Sequence, residues 1–142
     1  KLDLFSELVR TMRQQLRRAQ ASAANVDADP LTRIRQGAEA SVRFMAEHSH
    51  YFELLDVERA DPAIAAVLRS GSSVYRDDVT TLVQEAQARG LIADANPHLM
   101  AVGVLGAVAA FDSARRSAKI DVSTDELAAT VGEWVDKALR AP

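Results

Sequence analysis

Apolar residues recur along the chain at spacings of three and four, the period of a helix with one buried face. Phe5, Leu8, Val9, Met12, Leu16, Ala19 and Ala23 share one stripe. Asp3, Glu7, Arg10, Gln14, Arg17 and Arg18 lie opposite, which predicts an amphipathic helix over residues 2–24. The polar stretch Asn25–Asp29 interrupts it. Asp29-Pro30 then starts a second helix: a carboxylate that can cap free amides, followed by a residue with no N–H to leave unsatisfied. This helix runs to about His48, with Ile34, Ala38, Val42 and Met45 inward, and a short third covers residues 51–58. Asp61-Pro62 repeats the start signal. It predicts a helix to about Arg89, ended by Gly90. Ile64, Leu68, Gly71, Tyr75, Asp78, Leu82 and Ala86 share its inward face, and the poor helix formers Gly71-Ser72-Ser73 predict a kink or break near its middle. Asn96-Pro97 opens a helix to about Ala118. Ser123 and Glu126 form a capping box before a last helix that runs to Arg140 and buries Leu127, Val131, Trp134, Val135, Ala138 and Leu139. No alternating strand pattern is present. The expectation is an all-α bundle of about six helices.

The helix after Pro97 differs from the rest, because it is apolar on nearly every side. Leu99, Gly103, Gly106, Ala107, Ala110, Ser113 and Ala114 fall on one side, and Met100, Val104, Val108, Phe111 and Arg115 on the other. The small side lets another helix approach closely, and the large side fills a core or lines a cavity. A chain this short has few helices to cover both sides. A partner subunit is the economical cover, and a central helix covered within the monomer is the alternative.

Composition narrows the class. Of 142 residues, 48% are hydrophobic and 26% charged, the balance of an ordinary globular domain rather than a disordered chain. The absence of cysteine excludes disulfides, thiolate zinc sites and a cysteine nucleophile. A net charge of -3 gives no electrostatic footprint for nucleic acid. The apolar run Leu99–Phe111 is shorter than the roughly 20 residues of a membrane span. Charges among the first five residues argue against a signal peptide, so no membrane partner is expected and the cytoplasm is the expected compartment. The chain begins within a helical pattern and without an initiator methionine, as a fragment would.

Candidate chemistry is sparse. There is no phosphate-cradling glycine loop, no G-x-S-x-G elbow and no H-E-x-x-H, so an enzyme is not expected. His48 and His50 are two residues apart, which points their rings away from each other on a helix, and neither a metal site nor a cofactor is expected. His98, in a first helical turn, reads as exposed. Arg10, Arg13 and Arg17 read as a solvated helix face.

Several segments together resemble a known family. Lys1-Leu2-Asp3-Leu4-Phe5-Ser6-Glu7-Leu8-Val9 is similar to the Lys-x-x-Leu-Phe stretch that opens the fourth helix of TetR-family transcriptional regulators. Residues 88–101 resemble that family's Gly-x-x-x-x-Asp turn into its eighth helix, with Gly90 and Asn96-Pro97 in place. Leu105-Gly106-Ala107 resembles the small-residue step inside that helix, and Asp121 with the Ser123 box resembles the approach to the ninth. The resemblance implies that residues 1–142 are an effector-binding and dimerisation domain. It also implies that the helix-turn-helix domain is missing, so DNA would be a partner only through that missing part. Such a domain belongs to a regulator, usually a repressor, that leaves DNA when a small ligand shifts the spacing of its two reading heads.

Two sets of residues follow as candidates. A homodimer built from the 96–118 and 123–140 helices would use Leu99, Val102, Gly103, Gly106, Ala110, Val131 and Trp134. A mostly apolar site for a small-molecule effector would lie within each subunit, between the helices starting at Pro30, Pro62 and Pro97. Its walls would be Met45, Phe52, Leu68, Met100, Val104, Val108 and Phe111, with His48, Tyr75, Asp78 and Arg115 as polar groups fixing orientation. Arg115 would suit a ligand carboxylate, against the alternative of a salt bridge near its helix end. Gly71 would leave room between helices. A simple packed core is the alternative to a cavity, and a helical protein-interaction module without a ligand is the alternative to a regulator. A small helical enzyme or metal carrier would need clustered histidines and carboxylates that this sequence does not offer.

Overall fold

The computed structural model describes residues 1–70, 73–117 and 120–142, and among them seven α-helices and no strand. The helices are α1 (Leu2–Ala23), α2 (Pro30–Glu47), α3 (Ser49–Glu58), α4 (Pro62–Arg69), α5 (Ser73–Ala88), α6 (Pro97–Arg116) and α7 (Thr124–Leu139). The single helix expected over 62–89 is thus two, α4 ending at Arg69 and α5 starting at Ser73. Gly71, assigned above to an inward face, lies outside the described residues, as does Ala118.

The start signals act as their chemistry dictates. The Asp29 carboxylate accepts from Thr32 N at 2.9 Å, Asp61 from Ala63 N at 2.9 Å, and Asn96 from His98 N at 3.0 Å. Ser123 Oγ accepts from Glu126 N at 3.1 Å. Each satisfies an amide that the first turn of a helix leaves free. Gly90 ends α5 with φ 71°, a backbone that side-chain-bearing residues rarely adopt. The turn beyond it is clasped to the C-terminus: Ala93 N donates to Leu139 O at 3.2 Å and Ala141 N to Leu91 O at 3.0 Å.

Apolar side chains condense into two clusters rather than one. The larger joins α2, α5, α6 and α7 around Leu31, Ile34, Val42, Val83, Val108, Val131 and Val135. The smaller joins α1, α3 and α4 around Phe5, Val9, Leu55 and Ile64. An ionic cluster ties α6 to α3. Asp112, 1% exposed, accepts from Arg116 Nε at 2.6 Å and lies 3.2 Å from Arg115 Nη2, while Arg116 reaches on to Asp56. Arg116 also lies 5.8 Å from the Phe52 ring centroid. Burial works against the charged Arg116, but its bonds to Asp112 and Asp56 outweigh this and raise its pKa.

Helix α6 has 20 residues and by length and composition could cross a membrane. This corrects the expectation that no segment reaches that length. The helix continues past the apolar run to Arg116, so Asp112, Arg115 and Arg116 fall within its last two turns. One side of it packs in the bundle, through Ala101, Val104 and Val108.

Candidate functional site

Between the two apolar clusters lies a cavity of about 830 Å³, walled by α1 to α6. Its size and lining are those of a small-molecule pocket: apolar walls with a few polar groups. Ile34, Ala38, Phe44 and Met45 of α2 form one wall, and Val104, Leu105 and Val108 of α6 another. Met12 and Leu16 of α1, Phe52 and Leu55 of α3, Leu68 of α4, and Val79 and Leu82 of α5 complete it.

Seven of the residues put forward from sequence meet here: Met45, Phe52, Leu68, Tyr75, Asp78, Val104 and Val108. The other four stand outside its lining. His48 sits at the junction of α2 and α3, where its ring stacks on Phe44 at 4.1 Å and its Nδ1 lies 2.9 Å from Phe44 O. Met100 and Phe111 share the stripe of Val104 and Val108, but the cavity spans only the middle of α6. Both pack against the larger core instead, and Phe111 meets Trp134 edge-on at 6.2 Å. Arg115 is engaged by Asp112, which is the salt-bridge alternative rather than the ligand contact.

The polar rim joins Tyr75 and Asp78 to α1 residues that the sequence pattern did not assign to the site. Arg13 donates to the carbonyls of Leu68 and Ser70, and Arg17 pairs with Asp78 at 3.1 Å. Arg13 binds across to α4, which corrects its reading as solvated; Arg17, 52% exposed, keeps a solvated side chain while pairing with Asp78 of α5, and Arg10 pairs with Glu7. The available signal was position: Arg13 and Gln20 flank the Met12–Leu16 stripe rather than opposing it. Gln20 Nε2 donates to Ser41 Oγ at 2.9 Å, and that hydroxyl donates to Gly37 O at 2.8 Å. Tyr75 donates to Arg13 O at 2.8 Å. Burial pushes the Tyr75 hydroxyl up to about 12, against the opposing pull of Arg13 and Arg17, and burial likewise raises Tyr51. Arg33, Arg59 and Arg69 also line the cavity. Among the described residues no three His, Asp or Glu side chains cluster as a metal ion would require.

The outer side of α6 is bare. Leu99 is 63% exposed and Val102 50%, and Gly103, Gly106 and Ala110 are exposed beside them. A methyl group built on Gly103 or Gly106 would meet nothing within 4 Å. On α7, Trp134 is 49% exposed, which corrects its expected burial within the chain, and Ala138 is exposed too. Val131 is corrected in the opposite sense. It is fully enclosed in the subunit's own core with Leu127, Ala128 and Val135, so it has no surface to offer a partner.

The sequence model of the tetracyclin repressor-like C-terminal domain matches residues 27–112, more than half of the chain. The chain belongs to that family. The solved structure of a protein with unknown function from Rhodococcus sp. RHA1 superposes with a TM-score of 0.77 at 20% identity, covering 99% of this chain and 72% of the other. That likeness is one of fold. A comparison with curated proteins returned no match.

Proposed function

We propose that this tetracyclin repressor-like domain is the effector-binding and dimerisation part of a transcriptional regulator, a repressor released from DNA by a small apolar or amphipathic ligand. The cavity is the observation that carries the reading: six helices leave about 830 Å³ open between two apolar clusters instead of closing it with side chains. Close packing is the default of protein interiors, so so large a volume at the meeting point of the bundle is a feature to be filled by a ligand. The bare side of α6 with Trp134 supplies the second half of the proposal, a face for an identical subunit. DNA enters only through a helix-turn-helix domain joined to residues 1–142, and the cytoplasm is the setting.

The test is a thermal-shift screen of apolar and amphipathic small molecules on the intact chain. A ligand present at about 100 times its Kd should add roughly 2.7 kcal/mol of stability. Tyr75→Ala should then change which compounds bind while light scattering still shows a dimer. A screen in which no compound raises the melting temperature, with Tyr75→Ala merely unfolding the chain, would leave a helical interaction module and refute the ligand site.

A further inference from the structure

Six charged side chains line the cavity, and they are unbalanced: Arg13, Arg17, Arg33, Arg59 and Arg69 against Asp78. Asp78 is committed to Arg17, at 3.1 Å, and Arg59 lies 3.9 Å from Asp56, outside the lining. Five guanidinium groups around an apolar volume raise its potential, and the apolar walls weaken screening by water. One of the five has a specific deficiency. Arg33 Nε is enclosed and has no hydrogen-bond partner. An enclosed N–H on a charged group is costly to leave unmade, and native proteins satisfy nearly all such donors. Gly37, one turn further along α2, also lines the cavity, and a methyl group built there would meet nothing within 4 Å.

We propose that the cavity takes an amphipathic anion, an apolar chain ending in one carboxylate, with Arg33 as the group that receives the carboxylate. The inference rests on the reading of the cavity as the effector site. The planar guanidinium fork matches a carboxylate, and the guanidinium of Arg33 lines the cavity wall. The chain of the ligand lies along the Met45, Val104 and Val108 walls.

The test compares three ligands with the same tail: dodecanoate, dodecan-1-ol and dodecylamine. Each displaces the neutral fluorophore N-phenyl-1-naphthylamine from the intact chain, at concentrations below micelle formation. Dodecanoate should displace at least tenfold more strongly than the alcohol, and the protonated amine should be weakest. Arg33→Gln should remove the advantage of dodecanoate over the alcohol and leave displacement by the alcohol unchanged. Gly37→Leu, which fills the space beside that turn, should weaken all three. Equal displacement by acid and alcohol in the unmodified chain overturns the headgroup assignment while the effector site stands, and this comparison holds even if a variant fails to fold. An acid preference that survives in folded Arg33→Gln overturns the role of Arg33. If the fluorophore does not bind and no tail ligand raises the melting temperature, the effector site itself fails, and the inference with it.

Discussion

Replacing Asp112 by alanine should cost far more than an ordinary helix substitution. Its carboxylate is 1% exposed and holds Arg116 at 2.6 Å and Arg115 at 3.2 Å, and the Arg116 side chain is itself 9% exposed. Alanine leaves both arginines in place without their shared acceptor. Arg116 keeps Asp56, whereas Arg115 already has an enclosed Nε with no partner. Removing one partner of a buried ion pair costs about 3–5 kcal/mol, and the surviving bond to Asp56 places this case near 3 kcal/mol. Against a total stability of roughly 5–15 kcal/mol, and at the few degrees per kcal/mol usual for this chain length, the melting temperature should fall by roughly 10 °C. Urea unfolding followed by the single tryptophan, Trp134, and by circular dichroism would measure it. Asp112→Leu combined with Arg116→Met, which removes charge from both sides at similar volume, should recover most of the loss. An Asp112→Ala variant that loses less than about 1 kcal/mol would show that the cluster behaves as a surface pair, and the argument from burial would be wrong.

Gly106→Leu should leave the subunit folded and helical by circular dichroism, since a Cβ placed there meets nothing within 4 Å, yet convert the proposed dimer to monomer in light scattering at micromolar concentration. An unmodified chain that is monomeric there would refute the proposed interface. Tyr75 should ionise near pH 12, about two units above a free tyrosine. Because the folded value is the higher one, its contribution to stability is complete below pH ~10 and is lost as pH rises through about 12. The stability of the unmodified chain should therefore fall relative to Tyr75→Phe across that window, and parallel curves would contradict the assignment. Asp29→Ala should lose about 0.5–2 kcal/mol as the cap of α2 disappears. The hydrogen bond from the Thr32 amide holds the Asp29 carboxyl below its ordinary value, so that contribution is present above the ordinary carboxylate range and fades as pH drops through the lowered one. Acid titrations of Asp29→Ala beside the unmodified chain in denaturant would show it.

Local chemistry was legible in the chain itself. Three Asp/Asn-Pro starts, the Ser123 cap and Gly90 act within a few residues of sequence, so their effect does not depend on what packs against the helix. They placed the helix boundaries to within a residue or two, apart from the division of the 62–89 segment. The two-sided character of α6 was legible for the same reason: its small residues face outward and Val104 and Val108 inward, as helical spacing requires.

Tertiary structure decided everything that depends on which helix lies opposite. Periodicity gives each residue a direction, but not the partner that direction meets. Met100 and Phe111 share a stripe with Val104 and Val108 yet stand outside the cavity lining, because at their positions along α6 they pack against the larger core. Val131 and Trp134 lie one turn apart on α7, and the way α7 packs on the bundle makes one of them core and the other surface. Arg13 and Arg17 read as solvated because charge normally seeks water. The break before α5 brings Asp78 and the α4 carbonyls within reach of α1, and the same two arginines become part of the cavity rim. Asp112 carried no visible signal, since a carboxylate in a helix is ordinary until the fold encloses it between Arg116 and Arg115. The sequence by itself determined a helical, capped, tetracyclin repressor-like chain with one unusually apolar helix. The cavity and its excess of arginine were decided only when the helices packed, because an empty volume is a property of the space between elements and belongs to no single segment.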